Sequence, residues 1–301
     1  MIDIERQETC MKKVGVMTDS HSGITPEEAK RVGIHLLAMP FTINGEIYLE
    51  GVDFTHEEFY EKLNLGVDVS TSQPSPQDTM DMWDDMLKEY EQVLYIPMSS
   101  GLSGTCMTAM SLAQEEEYEG KVFVVDNGKI SVPLHRCLLD VMNLVETGLS
   151  APEIKKILED EREKMAIYIA VDTLEYLKKG GRITGAAAAI GTALNLKPIL
   201  KIGTGKLDTF DKCRGMKKAR KVMIEAMKKE VATTFKKEME AGELYIMAAT
   251  SSEEDVTAEW VKQIEEAFPG MEIMCDRLTC GITCHTGAGA LAIACLKKTT
   301  A

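Results

Sequence analysis

Short apolar runs alternate with capped helical segments through the first half of the chain, a rhythm that calls for a parallel sheet covered by helices on both faces. Residues 14–18 read as a buried strand, and Thr25-Pro26-Glu27-Glu28 then supplies an N-cap, a proline at N1 and a glutamate at N3. A second strand over 34–40 leads into Ile43-Asn44-Gly45-Glu46, a hairpin turn whose Asn-Gly pair accepts positive φ. Thr55-His56-Glu57-Glu58 is a capping box opening a helix to about residue 65. A polar loop at 71–76 precedes a helix over 77–90, and a strand at 93–98 runs into a helix from about Ser103 to 117. A strand at 122–125 and helices over 132–147 and 152–165 complete this half.

The second half mixes hairpins with helices, which points to an α+β domain with a mixed sheet. Its expected strands are 167–171, 198–202, 207–210, 244–249 and 271–276. Gly203-Thr204-Gly205-Lys206 forms a hairpin turn between the second and third of these. Asp172-Thr173-Leu174-Glu175 caps a helix that ends at Lys178-Lys179-Gly180-Gly181-Arg182, and an alanine-rich helix spans 185–194. Helices over 216–229 and 253–268 follow, with a final helix after Gly289. At 301 residues, two domains are expected. These are an α/β domain at 1–165, with a small hairpin insertion near 41–52, and an α+β domain at 166–301.

A net charge of −14 repels phosphodiester backbones, so nucleic acid and anionic membrane surfaces are poor partners. No apolar run reaches the length of a membrane span, and the first dozen residues carry no apolar signal region. The eight cysteines then read as reduced thiols in a cytoplasmic protein. Cys275, Cys280, Cys284 and His285 match no zinc framework, so no metal is expected. Methionine is abundant, and Met82, Met86, Met107 and Met110 read as packing on helix faces.

The segment SSGLSGT (99–105) places hydroxyls and free backbone N–H groups where a strand passes into a helix N-terminus, the makings of an anion site. Two rival chemistries stand beside it, one at this segment and one at the end of the first strand. Gly101-Leu102-Ser103-Gly104-Thr105 approaches the nucleophile elbow of a serine hydrolase, with His285 as base, but Thr105 stands where the elbow wants glycine. Asp19, at a strand end, is the residue that would hold a metal beside a bound nucleotide, or else cap the turn that follows. Gly203–Lys206 lacks the spacing of a phosphate-binding P-loop, and His285-Thr286-Gly287-Ala288-Gly289 is no dinucleotide fingerprint.

Six segments in order, MTDSHSGI (17–24), TSQPSP (71–76), SSGLSGT (99–105), LKKGGRITG (177–185), LKPIL (196–200) and HTGAG (285–289), resemble the DegV family. The resemblance covers nearly all of residues 13–298. It implies a two-domain protein, not itself an enzyme and without a cofactor, that binds one long-chain fatty acid between its domains. Similar members present the acyl carboxylate to a fatty-acid kinase, which makes acyl-phosphate for phospholipid synthesis. Carried over by motif, Thr71, Ser103, Gly104, Thr105 and His285 bind the carboxylate, while Arg182 and Arg214 serve kinase contact or phosphate stabilisation. The chain departs from the family pattern at His21, expected at the domain edge, at Cys106, expected to alter the tunnel's width, and at Ala288.

Overall fold

The computed structural model describes residues 12–188, 196–203 and 206–300. The N-terminal extension, most of the alanine-rich helix and the tip of the 203–206 turn lie outside them. Strand β1 (Lys12–Asp19) runs into a single 3-10 turn at Ser20–Ser22, then α1 (Pro26–Val32), β2 (Ile34–Leu37), β3 (Pro40–Ile43), β4 (Glu46–Leu49) and α2 (His56–Asn64). Next come β5 (Val69–Thr71), α3 (Pro76–Met86), β6 (Tyr90–Ile96), α4 (Thr105–Leu112), β7 (Val122–Val124), α5 (Ser131–Glu146) and α6 (Ala151–Asp160). The C-terminal part continues with β8 (Met165–Ala170), α7 (Glu175–Gly180), α8 (Gly185–Ala188), β9 (Leu196–Ile202), β10 (Leu207–Arg214), α9 (Met216–Thr233) and α10 (Lys236–Glu240). It ends with β11 (Leu244–Thr250), α11 (Glu254–Ala267), β12 (Ile273–Arg277), α12 (Cys280–Thr286) and β13 (Leu291–Lys297).

Local chemistry accounts for most of these boundaries. Thr25 and Thr55 cap α1 and α2 by accepting the N–H groups of Glu28 and Glu58, and Glu58 returns the bond to complete the capping box. Asn44 and Gly45 both take positive φ, as the two-residue hairpin between β3 and β4 requires.

Three sheets result among the described residues. The first, in the order β2-β1-β6-β7, is parallel throughout, as expected of a doubly wound domain. The second, β10-β9-β8-β13-β11-β12, is antiparallel except for β11 beside β12, and is the mixed sheet of the α+β half. The third, β4-β3-β5, enlarges the expected hairpin insertion: the chain leaves β4, forms α2 and returns as β5 beside β3. We propose residues 1–165 and 166–301 as the two domains, a division that falls at the first residue of β8.

Three expectations fail. No helix follows Gly289; residues 291–297 form β13, a central strand between β8 and β11. Burial on both faces makes its sequence a continuous apolar run, which carries no period to separate helix from strand. The polar loop at 71–76 begins inside β5, whose three residues pair with Phe41, Thr42 and Ile43. Helix α4 also stops at Leu112, short of residue 117.

Helix α5 fills the space between the two larger sheets. Its buried face (Leu134, Leu138, Val141, Leu144) shares one apolar cluster with Val16 and Ile96 of the first sheet and Ile169 and Ala292 of the second. Leu138→Ala should therefore lower unfolding stability by about 2–5 kcal/mol in urea titrations. Met107→Ala, at a side chain 59% exposed, should stay within about 0.5 kcal/mol.

Candidate functional site

Four loops converge beside α5, and each is held by backbone chemistry. The loop after β6 is tied to β1 by Asp19, whose carboxylate accepts Met98 N–H at 2.9 Å and His21 N–H at 3.1 Å. Both acceptors are thus spent on capping, and burial raises the carboxyl's pKa above its ordinary value. Beyond Met98 the chain folds into a tight turn, Leu102 and Ser103 both donating to Ser99 O. Ser103 Oγ accepts Thr105 N–H at 3.2 Å and lies 2.9 Å from Thr105 Oγ1, so Thr105 orients Ser103. Gly104 lies under the 71–76 loop: a Cβ there would come within 2.9 Å of Gln73 Oε1.

On the opposite side, α7 ends at Gly181 in the left-handed region, the expected C-cap. Arg182 then reaches back, its Nε donating to Leu102 O at 3.2 Å and its Nη1 to Gly180 O at 2.5 Å. Lys179 pairs with Asp68 and donates to Val69 O, fastening α7 to β5. At the end of β5, Thr71 Oγ1 lies 2.9 Å from His285 Nε2. His285 sits in the last turn of α12 rather than in a turn before a helix. Its Nδ1 is buried without a partner against Gly180, where a Cβ would approach to 2.1 Å. The glycine pair of LKKGGR therefore does two jobs: Gly181 ends the helix and Gly180 makes room for the imidazole.

Burial, followed by the charges of Arg182 and His21, lowers the His285 pKa to about 3, so the ring is neutral at pH 7. These groups stand in the wall of a partly open, largely apolar cavity. Thr71, Ser72, Ser103, Arg182 and His285 are among its polar residues, while Ile167, Ile169, Ile202 and Ala292 supply apolar wall from the second sheet and Ile130 and Val132 from the start of α5.

The site gathers the sequence-derived residues unevenly. Thr71, Ser103 and His285 line the cavity; Gly104 and Thr105 shape the Ser103 turn behind it. Arg182 lines it as well, whereas Arg214 is exposed at the last residue of β10. Leu207, at the other end of β10, is bonded to Arg182 O, and Arg214 lies seven residues farther along, about 23 Å by strand rise. His21, expected at the domain edge, lies in the cavity wall, with Gly281 giving it room. Cys106, expected to alter the tunnel, is buried in a separate cluster with Met17, Trp83 and Tyr95. The methionines in the cavity wall are Met39 and Met98, not those on the helix faces. Only the steric demand at Gly180 and Gly281 marks these positions, and it becomes visible once the helices are packed.

The serine-hydrolase geometry is not formed. Ser103 bonds within its own loop, His285 bonds Thr71, and among the described residues no carboxylate holds His285 Nδ1.

These features define an α/β protein of two larger sheets and one small one, with an apolar chamber polar at its loop-lined side. The family model described as "Uncharacterised protein, DegV family" matches residues 13–298, and the chain belongs to that family. A DegV domain-containing protein of Deinococcus radiodurans is 31% identical over 282 residues, 93% of this chain and 97% of that one. One from Staphylococcus aureus is 32% identical over 288 residues, 96% and 100% of the two chains. Among solved structures, a DegV family protein from Thermus thermophilus described by its fatty acid binding superposes with a TM-score of 0.82 at 31% identity, covering 95% of this chain and 99% of that one. DegV from Bacillus subtilis, described as a fatty acid binding protein, superposes with a TM-score of 0.82 at 27% identity, covering 95% and 100%.

Two expectations follow for the site. Gly180→Ala should displace the His285 ring and cost about 1–3 kcal/mol, read by thermal unfolding together with the imidazole NMR signals. The unfolded chain protonates His285 near 6.5 and the folded one only near 3, so between these values the unfolded state binds more protons. Stability should therefore drop as the pH is lowered from about 6.5 towards 3, and His285→Gln should flatten part of that decline in urea titrations at stepped pH.

Proposed function

We propose that this chain binds one long-chain fatty acid in the cavity between its sheets and presents the carboxylate to a fatty-acid kinase. The carrying observation is the cavity itself, which is apolar along most of its wall, with Thr71, Ser103 and His285 among its few polar groups. Proteins of the same fold, including one 31% identical, are described as fatty acid binding. A tail of about 14 methylenes contributes roughly 11 kcal/mol of gross burial at about 0.8 kcal/mol each. Ordering costs reduce that figure and leave ample affinity without charge attraction.

The carboxylate is the demanding part, because a buried anion must be hydrogen-bonded or paired. Thr71 and Ser103 supply hydroxyls, neutral His285 supplies a ring N–H, and Arg182 supplies positive charge nearby. Thr105 and Gly104 keep Ser103 in place. Arg214, exposed, is a docking contact for the kinase. Arg182 has two roles: it faces the ligand and it braces the loops through Leu102 O and Gly180 O. In this reading the chain is a carrier rather than an enzyme, and it works in the cytoplasm, where its free thiols remain reduced. Among the described residues no helix is long and apolar enough to cross a membrane.

Native mass spectrometry of freshly purified protein should show one fatty-acid adduct, identified after extraction. An unchanged apo mass after incubation with saturated and unsaturated acids would overturn the proposal. Ser103→Ala and His285→Ala should each weaken retention at least about tenfold, the worth of a hydrogen bond to a charged group. Arg214→Ala should retain the acid and lose turnover with the kinase, while Arg182→Ala should lose both. A fluorophosphonate probe should leave Ser103 unlabelled; labelling there would restore the hydrolase reading.

A further inference from the structure

The cavity wall holds polar groups that a plain alkyl chain cannot satisfy. His21, almost wholly buried, lines the cavity with its Nε2 against Gly281, where a Cβ would approach to 2.1 Å. Among the described residues its Nδ1 has no hydrogen-bond partner; a carboxylate oxygen, Asp19 Oδ1, stands 3.9 Å away and already accepts the His21 backbone N–H. Ser131, at the first residue of α5, lines the same cavity with its Oγ also buried and unpartnered. Its φ of +55° lies in the left-handed region, which a residue bearing a Cβ keeps only where its surroundings hold it there. Helix α5 packs on the 3-10 turn that carries His21, so the two side chains enter the cavity from adjoining elements.

Buried polar groups are normally paired, and each orphan demands a partner. Met39, Leu278 and Ile282, also in this wall, offer none through their side chains. The position of His21 relative to the carboxylate group follows from α12. Gly281, on which His21 rests, and His285 are four residues apart on one helix face, about 6 Å along its axis.

We infer that the cavity accepts an acyl chain carrying a hydroxyl or oxo group within a few carbons of its carboxyl end, read by His21 and Ser131. This rests on the fatty-acid reading above and narrows it to a ligand class. The imidazole accepts a hydrogen bond from a ligand hydroxyl or donates one to an oxo group, and Ser131 Oγ does either. An unsubstituted chain leaves both groups dry and unbonded, so discrimination arises from the penalty on the plain acid as well as the gain for the substituted one.

The test is competition under native mass spectrometry. Hexadecanoic acid is mixed at equal concentration with the same acid hydroxylated at the third carbon, and separately with one hydroxylated near the methyl end. The first hydroxy acid should outcompete the plain acid about tenfold, and the second should lose to it. In His21→Thr the first ratio should fall to within about twofold of unity, and Ser131→Ala should lower it independently. A wild-type ratio near unity would overturn the inference, as would a preference that survives both substitutions. If hexadecanoic acid itself leaves no adduct, the fatty-acid reading fails and this one with it, an outcome told apart by the empty control.

Discussion

Three distant parts of the chain meet on one buried carboxylate, Glu50. Its oxygens take Ser20 Oγ from the end of β1 at 2.8 Å and the backbone N–H of Cys280 at the start of α12, with His56 Nε2 from the start of α2 at 3.8 Å. Ser20 Oγ in turn accepts Met39 N–H. Burial alone would raise the pKa of Glu50, but the nearby imidazoles of His56 and His21 and the hydroxyl of Ser20 outweigh it and hold it below the ordinary glutamate value. Removing one partner from such a network typically costs about 3–5 kcal/mol, because the remaining charge is left uncompensated. The consequence is geometric: α12 cannot move relative to β1, and α12 carries both Gly281 and His285.

With α12 anchored there, the cavity's polar groups follow from local steric choices. Gly180 and Gly281 each leave space for an imidazole where a methyl group would collide with it. Arg182 locks the end of α7 to the Ser103 turn, and Lys179 locks it to β5. A site held at so many backbone points needs little reorganisation when a ligand enters, so less of the gross burial energy is spent on ordering. The neutrality of His285 fits the same economy, since a buried cation beside Arg182 would be doubly penalised.

Much of the fold was legible because local chemistry decides it. Thr25, Thr55 and the Asn44-Gly45 pair each act within four residues, so their caps and turn stand as read. The parallel first sheet follows from apolar strands too short to be buried helices. The misread elements are those whose identity depends on partners. The residues of β13 are good helix formers in isolation and become a strand by lying between β8 and β11. Strand β5 has three residues and exists because β3 offers an edge. Of the candidate site, Thr71, Ser103 and His285 were found through motif resemblance, whereas His21 and Ser131 were not, since an orphaned polar atom has no signature along a chain.

By itself, then, the sequence determined the alternating architecture, the helix starts, the tight turns and the family, all set by neighbours along the chain or by motif order. The tertiary structure decided which polar side chains share a chamber. Thr71 and His285 are 214 positions apart and meet only because Glu50 pins α12 and a glycine opens α7. Contacts of that range depend on how packed elements exclude one another, and the volume each side chain is left with is a property of the assembled fold.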